Sequence, residues 1–253
     1  MNKIGAAFKD GKALIAYLMA GDPDLETSAE YILAAQQAGA DMVEIGIPFS
    51  DPIAEGGEVE AANFRALDTG TRLDSVFEMV ASIKNEMRIP LVFMTYLNPV
   101  FVYGYDRFFA RCAQIGVAGI IIPDMPFEEQ GEVRQVAERH GVEVGTLIAP
   151  ASPERTAKIA GQAQGFIYLI SPISDREQAA AGLTEMVAQV RQVTDIPIAI
   201  DCGHCPEQAG LCSAIADGVV VGSAIVSVVG RYGKGATQPL CDCIKMVKES
   251  MAP

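Results

Sequence analysis

Two acids, Glu44 and Glu55, are the residues of this sequence best placed to move protons. Glu44 interrupts the apolar run Met42-Val43-Glu44-Ile45-Gly46, which reads as a buried strand. Pro48, the Ser50-Asp51-Pro52 turn and the Gly56-Gly57 pair then break regular structure, leaving Glu55 on a loop. One acid on a rigid element beside a second on a loop lets a fold set two proton-transfer groups at different pKa values. The competing reading is structural, with Glu44 merely hydrogen-bonded inside a core.

The elements that must position these acids repeat along the chain. Short apolar runs, read as strands, fall at 13–20, 42–46, 90–95, 119–122, 143–148, 166–170, 197–200 and 218–221. Helical patterns lie between them. Thr27 with Glu30 forms a capping-box pattern for the first, which Gly39 closes. Leu73, Val76, Phe77, Val80 and Ile83 share one helical face, and Ser152-Pro153 opens another helix. Tyr96-Leu97-Asn98-Pro99 reads as a turn, and the polar stretch 171–182 as a loop before a helix carrying Leu183, Met186, Val187 and Val190.

Eight strand–helix units in 253 residues predict an α/β fold, a (β/α)8 TIM barrel formed by residues 1–253 as a single domain. An open doubly wound sheet is the runner-up, but no Gly-x-Gly-x-x-Gly follows the first strand. Barrel active sites lie at the carboxyl ends of the strands. That rule selects Glu44, Tyr96, Asn98, Asp124, Tyr168, Gly203, Gly222 and Ser223. Tyr96, Asn98 and Asp124 also fit ordinary turn and packing roles. Gly222-Ser223, opening a helix after the eighth strand, suits an anion, because helix N-terminal N–H groups point at a phosphate.

Composition narrows the chemistry. A net charge of −13 argues against nucleic-acid binding. No apolar run approaches the ~18 residues of a membrane helix, and no signal peptide is evident, so a cytoplasmic location and free thiols are expected. The lysines fall in helices or before the first strand, away from Schiff-base positions, and two histidines are few for a metal-dependent lyase. Carboxylate acid–base chemistry is what remains. Cys202-Gly203-His204-Cys205 keeps a thiol redox or metal site open as a minor alternative.

Several segments together resemble one family. Ala20-Gly21-Asp22-Pro23, the Glu44-to-Pro52 segment, Tyr96-x-Asn98-Pro99, Pro123-Asp124-Met125-Pro126 and Val221-Gly222-Ser223-Ala224 are similar, in this order, to the tryptophan synthase alpha subunit. The resemblance implies cofactor-free carbon–carbon lyase activity on indole-3-glycerol phosphate, giving indole and glyceraldehyde 3-phosphate, and docking on a beta subunit. It implies that Glu44 is the catalytic glutamate and that Glu55 stands where the family has a catalytic aspartate. Tyr168 matches an active-site tyrosine, and Gly203, Gly222 and Ser223 match phosphate-binding positions. Asp51 falls in the loop that faces the beta subunit. The chain departs from the family pattern in the loop after the sixth strand, at Glu55, and at Asp201-Cys202-Gly203, where the family reads Gly-Phe-Gly. Those departures keep open a paralogue with a shifted phosphorylated substrate, or a non-catalytic ligand- or partner-binding role.

Overall fold

The computed structural model describes residues 4–9, 11–170, 176–202 and 206–251, with backbone alone for 176–180 and 206–207. Strands β1 (Ala13–Met19), β2 (Met42–Gly46), β3 (Leu91–Met94), β4 (Gly119–Ile121), β5 (Glu143–Val144), β6 (Thr146–Ile148), β7 (Ile167–Leu169), β8 (Ile198–Asp201) and β9 (Gly218–Val221) form one parallel sheet. Its order is β5-β4-β3-β2-β1-β9-β8-β7-β6. The two end strands are separated in the chain by Gly145 alone, so the backbone itself closes the ring. The fifth predicted strand is therefore one stave cut in two, and the eight expected staves are all present. A Cβ on Gly145 would stand 3.0 Å from the Ile121 side chain, a reason for glycine at the cut.

Helices cover the ring: α1 (Leu25–Ala38), α2 (Gly57–Asp68), α3 (Leu73–Ile83), α4 (Leu97–Tyr103), α5 (Tyr105–Ile115), α6 (Gln130–Arg139), α7 (Pro153–Ala160), α8 (Arg176–Arg191), α9 (Pro206–Ile215), α10 (Ser223–Tyr232) and α11 (Thr237–Ser250). Alternate strand residues face opposite sides. Ile15, Met42, Val92, Ile121, Tyr168, Ala199 and Val220 cluster inside the barrel, while Leu14, Val43, Phe93 and Ile120 pack outward against helices. Both faces are thus buried, as a parallel sheet requires. Among the described residues no helix is long and apolar enough to cross a membrane.

Three local expectations change. Asp24, not Thr27, caps α1, its carboxylate accepting the Thr27 N–H at 2.8 Å. The residues 97–99 open α4 rather than a bare turn, because proline is tolerated in a helix's first turn and Asp124 accepts the Leu97 N–H at 2.8 Å. Helix α8 starts at Arg176 rather than beyond Gly182, since Arg-Glu-Gln-Ala-Ala-Ala are strong helix formers.

The two ends of the barrel differ. A short 3-10 turn, Ile4–Phe8, plugs the amino ends of the strands, with Ile4 buried and Phe8 against Phe166. At the carboxyl ends, α2 and α10 lean over the opening and bury Val59, Ala62, Ala66 and Val226 against Tyr17 and Met19. Helix α2 is tied down by Arg65, whose Nε and Nη2 donate to the buried Asp22 carboxylate at 2.9 and 2.7 Å. Arg65→Ala would leave Asp22 buried without its counter-ion. We expect a stability loss of about 2 kcal/mol in urea unfolding, below the roughly 3–5 kcal/mol of a fully buried pair because the Arg65 side chain is 39% exposed. A change under about 0.5 kcal/mol would mean the pair does not hold the helix.

Candidate active site

Glu44 sits within β2, in register with Tyr17 of β1 and Val92 of β3. It shares the inward face with Met42, which places its carboxyl in the barrel mouth. The residue is 1% exposed, and neither carboxylate oxygen has a hydrogen-bond partner among the described residues. Burial first, then the charges of Asp201 and Glu55, push its pKa well above the usual carboxylate range. The neutral acid is thereby favoured over the carboxylate at Glu44.

Glu55 reaches the same mouth from the loop between β2 and α2. Asn63, buried on α2, organises that loop. Its Oδ1 accepts the Phe49 N–H at 3.0 Å, and its Nδ2 contacts Glu55 Oε2 at 3.4 Å and the Val59 carbonyl at 3.1 Å. The Tyr96 hydroxyl accepts the Ala54 N–H at 3.0 Å, and its ring packs on Phe49. Burial pushes the Glu55 carboxyl up to about 7, against hydrogen bonds from Tyr96 and Asn63 that pull it down. The two acids thus occupy different electrostatic settings, one almost dry and one held by donors.

A cavity of about 80 Å³ lies above them, lined by Tyr17, Glu55, Tyr168, Asp201, Gly222 and Ser223 among others. No lysine lines it. Tyr168 is fully buried, and burial followed by the charges of Asp201 and Glu44 raises its hydroxyl far above its ordinary value. Gly222 is the N-cap of α10, no side chain caps that helix, and its first turn holds no acid. The first N–H groups of a helix lack intrahelical partners, so they are available to an anion here. A larger cleft of about 400 Å³, lined by Lys84, Arg88 and Gln114 among others, is at the plugged end and holds neither acid.

Glu44, Glu55, Tyr168, Gly222 and Ser223 therefore converge, whereas Gly203 and Cys205 lie outside the described residues. Cys202 is buried, and its contact with Cys212 together with burial pushes the thiol up, the reverse of an activated cysteine. Among the described residues no group of three or more His, Cys, Asp or Glu is placed to hold a metal. Asn98 is exposed on α4 and Asp124 serves the start of that helix. The sequence reading overlooked Tyr17 and Asn63. Tyr17 offered a faint signal as a polar tip in an apolar strand; Asn63, in an amphipathic helix, offered none.

A closed parallel barrel with its polar cavity at the carboxyl ends of the strands is the architecture of a (β/α)8 barrel enzyme. Comparison with known proteins makes the class particular. The family profile for the tryptophan synthase alpha chain matches residues 5–252. The chain belongs to the tryptophan synthase alpha chain family. It is 46% identical over 252 residues to the tryptophan synthase alpha chain of Lacticaseibacillus casei, covering 98% of this chain and 95% of that one. The structure of tryptophan synthase subunit alpha from Legionella pneumophila superposes with a TM-score of 0.91 at 30% identity, covering 99% of this chain and 98% of that one. A structure of the tryptophan synthase a2b2 complex from Pyrococcus furiosus matches with a TM-score of 0.85 at 32% identity, over 94% and 98% of the two chains.

The raised Glu55 pKa has a measurable consequence. Between about pH 4.5 and 7 the folded chain keeps a proton that the unfolded chain releases, so this group's stabilising contribution is full below that window. It is lost as pH rises through about 7, a change on the order of 3 kcal/mol. The difference in unfolding free energy between wild type and Glu55→Gln should fall as pH rises from 5 to 8. A difference that is flat or rising would show that Glu55 is not buried as described.

Proposed function

We propose that this chain cleaves indole-3-glycerol phosphate to indole and glyceraldehyde 3-phosphate, with Glu44 and Glu55 as its acid–base pair. The observation that carries the residue assignment is the buried, unpaired Glu44 carboxyl held beside a second acid of different pKa. The bond to be broken joins the indole ring carbon to the hydroxyl-bearing carbon of the glycerol chain. Protonated Glu44 gives its proton to that ring carbon, which places positive charge on the ring nitrogen. The resulting carboxylate then takes the proton of the adjacent hydroxyl. The hydroxyl oxygen becomes the aldehyde carbonyl, and the electrons of the breaking bond return to the ring. Glu44 ends protonated, as it began. Ionised Glu55 accepts the ring N–H and balances the transient positive charge.

The phosphate binds at the start of α10 through backbone N–H groups near Gly222 and Ser223. Asp201 at the same mouth opposes that anion and is the feature that would tune affinity. No cofactor enters this scheme. A beta subunit is the partner, reached through the Asp51 loop. Exposed apolar side chains at this end of the barrel, Ile53 at 81%, Val102 at 75% and Phe101 at 65%, support a protein docked there. The location proposed is the cytoplasm.

Indole release from indole-3-glycerol phosphate, measured alone and with a beta subunit, tests the reading. Glu44→Gln should lower turnover by about 100-fold or more while the urea midpoint stays in place. Wild-type turnover should rise with pH through about 7 as Glu55 ionises. Turnover unaffected by Glu44→Gln would remove Glu44 from the chemistry.

A further inference from the structure

Tyr17 has no part in the scheme above, yet it occupies the centre of the mouth. It is 3% exposed, and its hydroxyl has no hydrogen-bond partner among the described residues. The root of the side chain lies beside Gly222, where an added Cβ would stand 3.4 Å from Tyr17 Cβ. The tip lies over Gly46, where an added Cβ would stand 2.2 Å from the hydroxyl. Gly46 is two residues beyond Glu44 on β2 and so faces the same side. Tyr17 therefore runs from Gly222 at its root to Gly46 at its tip, across the strand that carries Glu44, with Glu55 lining the same cavity. A three-carbon phosphate ester held at Gly222 would lie along it, with its far carbon at the hydroxyl.

We propose that the Tyr17 hydroxyl is a further catalytic residue, donating a hydrogen bond to the oxygen of the substrate hydroxyl beside the breaking bond. This rests on the function proposed above. A buried donor without a partner is costly unless a ligand satisfies it, and this one stands beside Gly46, the next inward position after Glu44. Burial, then the charges of Glu55 and Glu44, keep the phenol neutral and hence a donor. As Glu44 withdraws the hydroxyl proton, negative charge develops on the oxygen. A donor fixed there acts more strongly in the transition state than on the bound substrate.

Tyr17→Phe removes the donor and keeps the ring, so the barrel should fold as before. In the full chain, kcat for indole release should fall by about 10- to 100-fold with KM within about threefold. Affinity for 3-(indol-3-yl)propyl phosphate, which lacks both hydroxyls, should be the same for wild type and variant by calorimetry. Unchanged kcat, or an equal loss of affinity for the deoxy analogue, would overturn the proposal and leave Tyr17 a packing residue. Wild type that binds the analogue and turns over substrate, with Tyr17→Phe unaltered, sinks this inference alone. Wild type that does neither sinks the function reading and this inference with it.

Discussion

A carboxylic acid held in an almost dry barrel is the constraint from which the rest of this structure follows. Among the described residues Glu44 has no cation beside it and no donor on either oxygen; the neighbours that act on its charge are two further acids, Asp201 and Glu55. Such a group stays in the interior only as the neutral acid. The cost of keeping it there falls on the scaffold, which must be rigid enough to prevent escape to solvent. A closed ring of parallel strands, buried on both faces and plugged at its amino end by Ile4, meets that demand.

The second acid is held by different means. Glu55 belongs to a loop, and loops position side chains loosely unless something fixes them. Here three contacts from outside the loop do so. Asn63 takes the Phe49 N–H and reaches Glu55, Tyr96 takes the Ala54 N–H, and Arg65 ties the following helix to Asp22. Glu55 is accommodated within this frame. Burial, opposed by these donors, brings its pKa to about 7, where a small change in pH alters its charge.

The mouth also carries an internal opposition. Open helix N–H groups at Gly222 and Ser223 favour an anion, while Asp201 lines the same cavity. Tyr168 lies between Asp201 and Glu44 as an uncharged hydroxyl under the influence of both. Affinity and proton transfer are therefore linked: a charge change at Asp201 acts on the ligand and on Glu44 together.

Much of this was legible in the chain itself. Apolar runs of strand length alternating with amphipathic helices leave few arrangements that bury both faces of a sheet, so the barrel follows from patterning. Glu44 was visible because a lone carboxylate in an apolar strand has to be explained, and Gly222-Ser223 because its place after the last strand gives it a site to serve. Boundaries such as the start of α4 were less legible, since Asp124, which completes that helix end, is distant in sequence. Tyr17 and Asn63 were invisible for the same reason. An inward tyrosine and a helical asparagine acquire meaning only from what faces them across the ring. The sequence by itself determined the fold class, the acid in the second strand and the glycine-serine turn that opens a helix after the last strand, because local pattern and strand order encode them. Tertiary structure alone decided which hydroxyls and amides meet those acids and what that does to their protons, because pKa depends on burial and neighbouring charge, which exist only once the ring has closed.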